Sequence, residues 1–237
     1  MSELSIESSQ SCVLSDTQIL RELGKDVIIE PFNKEQLQSS TYDIRLGKYF
    51  YRKNPNKKLQ YFNPNNGSHV IEYWNVSPDE KKNFGAFEAQ KIQTDDEVNL
   101  YGVNIGDEII TISPGELILG HTIEFIGGRG NITTEINARS TMGRCGISIC
   151  KCSGRGDNGF INSWTLEIEN HTTSAIVLTV GLRVGHIMFL RTGPVENSYS
   201  TKGNYQSSDN LEELQRSWSP LNMIPSAGAK LVKKMLA

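Results

Sequence analysis

Residues 108–136 read EIITISPGELILGHTIEFIGGRGNITTEI. Isoleucine, leucine, threonine and phenylalanine gather in short runs, and Pro114-Gly115 and Gly127-Gly128 interrupt them. Short apolar, β-branched runs bounded by turn residues predict strands. The same grain continues towards residue 190. After Ile109–Ile112, Leu117–Leu119, Thr122–Phe125 and Ile132–Ile136 come Ile147–Cys150, Trp164–Ile168, Ala175–Val180 and Val184–Leu190. Turn signals recur at roughly the 8–12-residue spacing of a sandwich or barrel. There is no α/β alternation and no internal repeat, so the stretch predicts a mainly β domain. Gly127-Gly128-Arg129-Gly130 falls between two of the strands and reads as a hairpin turn, not as a phosphate loop opening a helix.

Towards the N-terminus, Ser15-Asp-Thr-Gln18 has the form of a capping box. Ile19, Leu20 and Leu23 follow at helical spacing before Gly24, which predicts a short helix. Val27–Ile29, stopped by Pro31, and Tyr42–Leu46, with alternating Asp43 and Arg45, predict two more strands. Residues 1–13 are Ser-rich and predict a disordered N-terminus. Residues 53–68 are rich in Asn, Pro and Lys and predict an exposed loop or hairpin tip; 77–98 are polar, with room for one short helix. Together they mark an insertion at about 53–106 in a domain spanning 14–206. Residues 193–208 read as a mobile segment. Residues 207–237 read as an appendage with helices near Leu211–Trp218 and Ala229–Leu236, packing on the domain or on a neighbouring subunit.

Composition bounds the function. The chain has 237 residues, 37% hydrophobic and 22% charged, enough apolar material for a core. Lys+Arg number 24 against 27 Asp+Glu, a formal charge of −3, which argues against a partner that is a nucleic-acid polymer. A local basic pocket for one small anion is compatible with that balance. No apolar run approaches the roughly 18–20 residues of a membrane span, so no membrane partner is expected. The N-terminus lacks a basic region followed by an apolar one, and four cysteines make no disulfide framework. A reduced, cytoplasmic protein is the expectation.

Chemistry concentrates in Ala138–Glu167, ARSTMGRCGISICKCSGRGDNGFINSWTLE. Arg139-Ser140-Thr141 offers a guanidinium, two hydroxyls and backbone amides within three residues, suited to a turn that cradles phosphate. Arg144 follows one short turn later. Asp157 sits in a Gly-rich loop, where backbone can approach a ligand closely. Glu167 shares a strand face with Thr165 and Glu169, opposite Trp164, Leu166 and Ile168. A solvated strand face and a functional carboxylate are both open readings of that face. Zinc-dependent base deaminases need H-x-E with P-C-x-x-C, and neither motif is present. Cys150 and Cys152 share a strand face and read as small buried residues beside a turn. The four histidines have no ligand spacing, and His186 reads as a core or interface residue. No G-x-S-x-G or Walker motif is found.

The same residues resemble the dCTP deaminases of the trimeric dUTPase-like superfamily. The likeness runs through Leu14-Ser-Asp, Leu37-Gln-Ser-Ser-Thr-Tyr-Asp-Ile-Arg-Leu-Gly and Pro114-Gly-Glu-Leu-Ile-Leu-Gly-His-Thr-Ile-Glu. The family's R-S-S-x-x-R-x-G stands as Arg139 to Gly146, its D-P-G-F/W as Asp157-Asn158-Gly159-Phe160, and its glutamate strand as Thr165-Leu166-Glu167. Gly181 to Gly185 and the segment Tyr199 to Gln206 complete the series, which covers about two-thirds of the chain.

The resemblance implies a dUTPase-like distorted β-barrel or jelly roll assembled as a homotrimer with sites between subunits. It implies hydrolytic deamination of a deoxycytidine nucleotide, dCTP to dUTP and ammonia, without zinc. Glu167 would serve as general base and then acid. Ser140 and the carbonyl of Ser153 would hold the water, and Arg144 would position Glu167 and stabilise charge. Arg139, Ser140 and Thr141 would bind triphosphate, and Asp157 the deoxyribose. Tyr199, Lys202 and Gln206 would fold over the phosphates as a lid. Mg²⁺ would arrive with the triphosphate, with no protein side chain as ligand. Alternatives are a diphosphatase acting on dUTP, or on dCTP to dUMP, and a non-catalytic nucleotide-binding regulatory module. Lys151, Cys152, Gly156, Asn158 and Asn204 depart from the family pattern, the last standing where a lysine is usual.

Overall fold

The structure, a computed structural model, describes residues 12–55, 59–151, 153–206 and 208–237. In chain order the strands are β1 (Cys12–Val13), β2 (Val27–Glu30), β3 (Tyr42–Arg45), β4 (Tyr49–Arg52), β5 (Phe87–Glu88), β6 (Gln90–Lys91) and β7 (Glu108–Ile112). There follow β8 (Leu117–Gly128), β9 (Ile132–Ala138), β10 (Ile147–Ser148), β11 (Arg155–Gly156), β12 (Ile161–Asn170), β13 (Ile176–Thr179) and β14 (Arg183–Arg191). The helices are α1 (Asp16–Glu22), α2 (Gly67–Trp74), α3 (Asp95–Tyr101), α4 (Ser140–Arg144), α5 (Tyr199–Lys202), α6 (Leu211–Ser217) and α7 (Ser226–Leu236).

A five-stranded sheet runs β1-β14-β9-β11 with β3 also on β14. A six-stranded sheet runs β10-β12-β8-β4-β5 with β2 also on β8, and β13-β7-β6 form a third. Every pairing among these strands is antiparallel. The main core lies between the two large sheets. Ile44, Ile136, Ile187 and Phe189 come from the first, and Ile29, Ile118, Ile126, Leu166 and Ile168 from the second. Trp164 joins them and donates its indole N–H to Ile126 O at 2.8 Å. This is the mainly β, barrel-like class that the patterning and the resemblance led to expect.

The helix and strands read near the N-terminus form as expected. Ser15 caps α1 with the reciprocal Gln18 bond. Elsewhere the structure differs. Leu117–Leu119 and Thr122–Phe125 are one twelve-residue strand, β8, which runs through Gly120 and His121. Conversely, Ile147–Cys150 keeps only two residues of pairing. Residues 1–11, expected to be disordered, lie outside the described residues, while Cys12 and Val13 pair with Arg191 and Leu190. The loop expected over 53–68 ends in a helix. Asn66 accepts from Ser68 N and His69 N and starts α2, which residue-type bias towards turns concealed.

The insertion and the C-terminal residues build a second core together. Tyr51, Val70, Trp74, Val76 and Phe84 pack with Leu221, Met223, Ile224 and Val232, and Leu119 of β8 joins them to the sheet. Gly228 of α7 is pressed against Val70 of α2, so closely that a Cβ there would stand 2.5 Å from Val70 Cγ1. The segment 193–208 is tied down as well. Gln206 is buried; its side-chain oxygen accepts from Ile161 N at 2.8 Å and its NH₂ donates to Gly159 O at 2.9 Å.

Candidate active site

Strand β12 carries the site. Its alternation holds Trp164, Leu166 and Ile168 in the core and leaves Thr165, Glu167 and Glu169 half-buried on the other face. A register shift against β8 between Ser163 and Thr165 turns the strand just before Glu167. Glu167 Oε2 accepts from Lys151 N at 3.1 Å. Its other oxygen makes no hydrogen bond among the described residues. Lys151 pairs through its ammonium with Glu169, whose carboxyl is held below the usual carboxylate range chiefly by that bond.

Beside Glu167 lies a cavity of about 410 Å³. Ser153, Asp157 and Tyr199 line it with Glu167, so four of the residues read from the motifs meet around one space. Arg155–Gly156 pairs with β9 and brings Ser153 and Asp157 to the rim. Asp157 is exposed, in the turn closed by Phe160 N to Asp157 O at 2.9 Å. Phe160 stands edge-on to both Trp164 and Tyr199, with centroids at 4.9 and 5.0 Å. Burial raises the Tyr199 hydroxyl's pKa above its ordinary value, keeping it neutral, and that oxygen accepts from Tyr205 N. Gly156 is explained by its neighbours: a Cβ would lie 2.5 Å from Thr134 Oγ1 and 2.6 Å from the Trp164 ring. Asn158 likewise is engaged, donating to Gly130 O and to Thr192 Oγ1.

The motif helix lies elsewhere. Arg139, Ser140, Thr141 and Arg144 belong to α4 and its N-cap and do not line the cavity. Arg139 is held by Asp43, Nη1 to Oδ2 at 3.2 Å, and the buried Asp43 also faces Arg183 at 3.5 Å. Next to it, fully buried Glu124 takes bonds from Arg45 Nε at 2.6 Å, Arg45 N at 2.9 Å and Gln36 Nε2 at 3.0 Å. This buried charge network fixes where α4 begins. Ser140, Thr141 and Arg144 are exposed. Gln206 stands behind the cavity as a clamp on the backbone of residues 159–161. Lys202 ends α5, and its side chain, like residue Cys152, lies outside the described residues.

Several lining residues carried no signal in the motifs. Trp74 comes from the insertion, and Asn222, Met223 and Pro225 from the C-terminal segment. Only the hydrophobicity of Trp74 and Met223, beside apolar neighbours such as Val70 and Ile224, marked them as buried. Among the described residues no three His, Cys, Asp or Glu side chains come together as a metal site, and no helix is long and apolar enough to cross a membrane.

Comparison with known proteins bears on the family and the fold. A "dCTP deaminase, dUMP-forming" from Acidothermus cellulolyticus is 29% identical over 191 residues, 80% of this chain and 85% of its own. One of the same name from Nanoarchaeum equitans is 30% identical over 199 residues, 81% of this chain and 90% of its own. In fold, the chain is similar to the crystal structure of 2'-deoxycytidine 5'-triphosphate deaminase from Agrobacterium tumefaciens, with a TM-score of 0.50 at 18% identity. That likeness covers 77% of this chain, which spans about half (48%) of the Agrobacterium chain. The model of the dCTP deaminase-like family matches residues 13–192, through β1, the two large sheets and every motif from Leu14 to Gly185, and the chain belongs to that family.

Proposed function

We propose that the protein deaminates dCTP hydrolytically and carries the product on to dUMP. The observation that carries the reading is the meeting of Glu167, Ser153, Asp157 and Tyr199 around one cavity of nucleoside size. One oxygen of Glu167 is tethered by Lys151 N, leaving the other to take a proton. In this reading a water beside Ser153 loses a proton to Glu167 as it adds to C4 of cytosine. Glu167 then gives that proton to N3, takes a second from the new C4 hydroxyl and passes it to the amino group, which leaves as ammonia while C4 becomes a carbonyl. Asp157 holds the sugar hydroxyl, and Tyr199 covers the ring. A second water would attack the α-phosphorus and release diphosphate, leaving dUMP. The words "dUMP-forming" in the relatives' names favour this product over dUTP, the product the resemblance implies.

Arg144, Ser140, Thr141 and Arg139 fit the reading as a contribution from a neighbouring subunit, since α4 is exposed and away from its own chain's cavity. A homotrimer is therefore part of the proposal. Magnesium enters with the triphosphate: the cavity offers the exposed oxygen donor Asp157 and no converging ligand set, so the phosphates would supply most of its ligands. When bound, it neutralises phosphate charge.

The test is a product assay with dCTP and Mg²⁺, resolved by ion-exchange chromatography, with Glu167→Gln run beside the wild type. Loss of the carboxylate should lower turnover by about 10²-fold or more while leaving the cavity's shape. Intact dCTP with cleaved dUTP would make the protein a diphosphatase, with Asp157 orienting the water. A Glu167→Gln variant that deaminates at the wild-type rate would overturn the mechanism.

A further inference from the structure

A second cavity, of about 380 Å³, lies between the C-terminal segment and the insertion. One face of α7 forms its wall. Ser226, Lys230 and Lys233 line it at the i, i+4, i+7 spacing of one helix face. The opposite face, with Gly228 and Val232, packs into the second core. Arg216, at the end of α6, lines the same cavity, and the one carboxylate side chain among its lining residues is Glu80. Arg216 and Lys233 make no ion pair among the described residues, and Lys230 donates to the neutral Asn204 Oδ1 at 3.2 Å. Three exposed cations against one carboxylate, in a chain of net charge −3, make a local positive excess that suits an anion. Trp218 also lines the cavity, and its indole nitrogen is buried without an acceptor.

Two residues line both cavities: Tyr205 and Asn222. Asn162 Nδ2 holds Tyr205 O at 2.8 Å, and Ser226 N donates to the Tyr205 hydroxyl at 3.2 Å. The two cavities are therefore neighbours, with Tyr205 and Asn222 between the space beside Glu167 and the basic one. We propose that this second cavity binds the phosphate chain of a nucleoside triphosphate through Arg216, Lys230 and Lys233. Arg216 and the two lysines lie outside the family match, which spans residues 13–192. Only the source of the phosphates, the substrate's own chain or a separate nucleotide, rests on the reading of the neighbouring cavity.

Calorimetric titration with inorganic tripolyphosphate tests the site without reference to turnover. Wild type should bind it, and Lys230→Ala/Lys233→Ala should bind about tenfold more weakly or worse. Lys234→Ala, on the same helix but not lining the cavity, should match wild type; Arg216→Ala provides a second, independent loss. Titrations with dCTP and dCMP distinguish the sources. If the substrate's own phosphates occupy the cavity, tripolyphosphate competes with dCTP, and the double variant weakens dCTP but not dCMP. If a separate nucleotide does, dCTP binds at two sites per chain and the double variant loses one. No tripolyphosphate binding by wild type, or equal weakening by Lys234→Ala, overturns the proposal. An inactive wild type that still separates from the double variant in this titration would sink the deaminase reading and leave the phosphate site standing.

Discussion

His121 shows how one titratable side chain is kept from titrating. Its ring packs between Tyr49 and Trp218, with centroids at 6.1 and 4.6 Å. Nδ1 lies 2.9 Å from Thr122 O and 3.1 Å from Ser163 Oγ, while Tyr49 N donates to Nε2 at 3.3 Å. A donor on one nitrogen and an acceptor on the other describe the neutral ring. Burial, with Lys48 nearby, pushes its pKa down to about 4. An unfolded chain would bind that proton near pH 6.5, so the unfolded state holds more protons between pH 6.5 and 4. The stabilisation is therefore complete above pH 6.5 and lost as pH falls towards 4, by up to about 3 kcal/mol. Denaturant melts of wild type and His121→Gln across this window should show a shallower pH slope in the variant. Equal slopes would mean that other groups carry the acid sensitivity. At this scale part was legible in the sequence: Glu167, Asp157 and Ser153, singled out through the resemblance, line one cavity. The clamp made by Gln206 was not, because a residue that bonds backbone across 45 positions leaves no local pattern.

Among the elements, the pair α2 and α7 matters most for the site. Their contact depends on Gly228 lying flat on Val70. Gly228→Val should cost about 1–3 kcal/mol by overpacking this contact. Because Trp74 and Met223 of the same core line the cavity, turnover should fall in parallel with the loss in a urea melt. Unchanged kcat and KM in a destabilised variant would separate the helix pair from the site. Strands were easier to foresee than these helices. β12 announces itself by period-two alternation over Trp164 to Glu169, and β14 by the apolar run Ile187–Leu190. In α2, by contrast, Asn and Gly at the start mimic a turn, and its partner lies more than 150 residues away in sequence, so no local window contains both halves of the core they share.

For the whole molecule, the separation of α4 from the cavity of its own chain is the informative fact. If sites form between subunits, inactive Glu167→Gln and Arg144→Ala chains should complement one another. Random mixing in a homotrimer would leave about a quarter of the sites with both native residues. Co-refolding the two variants at equal concentration should restore activity to roughly that fraction of wild type. No recovery, with mixed trimers demonstrated by sedimentation and mass spectrometry, would place Arg144 and Glu167 in one chain's site or remove Arg144 from the chemistry.

The second core also sets an order of events during synthesis. Residues 51–86 reach the solvent long before residues 221–232, the partners that cover them. While translation proceeds, the β-sheets can close with Tyr51, Val70 and Trp74 still bare, a sticky patch on an otherwise finished body. The chamber beside Glu167 gains its outer wall only when Asn222, Met223 and Pro225 arrive, so competence lags behind the folding of the sheets. A single protease cut between residues 193 and 210 would have the reverse effect: it would release the wall and expose the patch while leaving the strands paired.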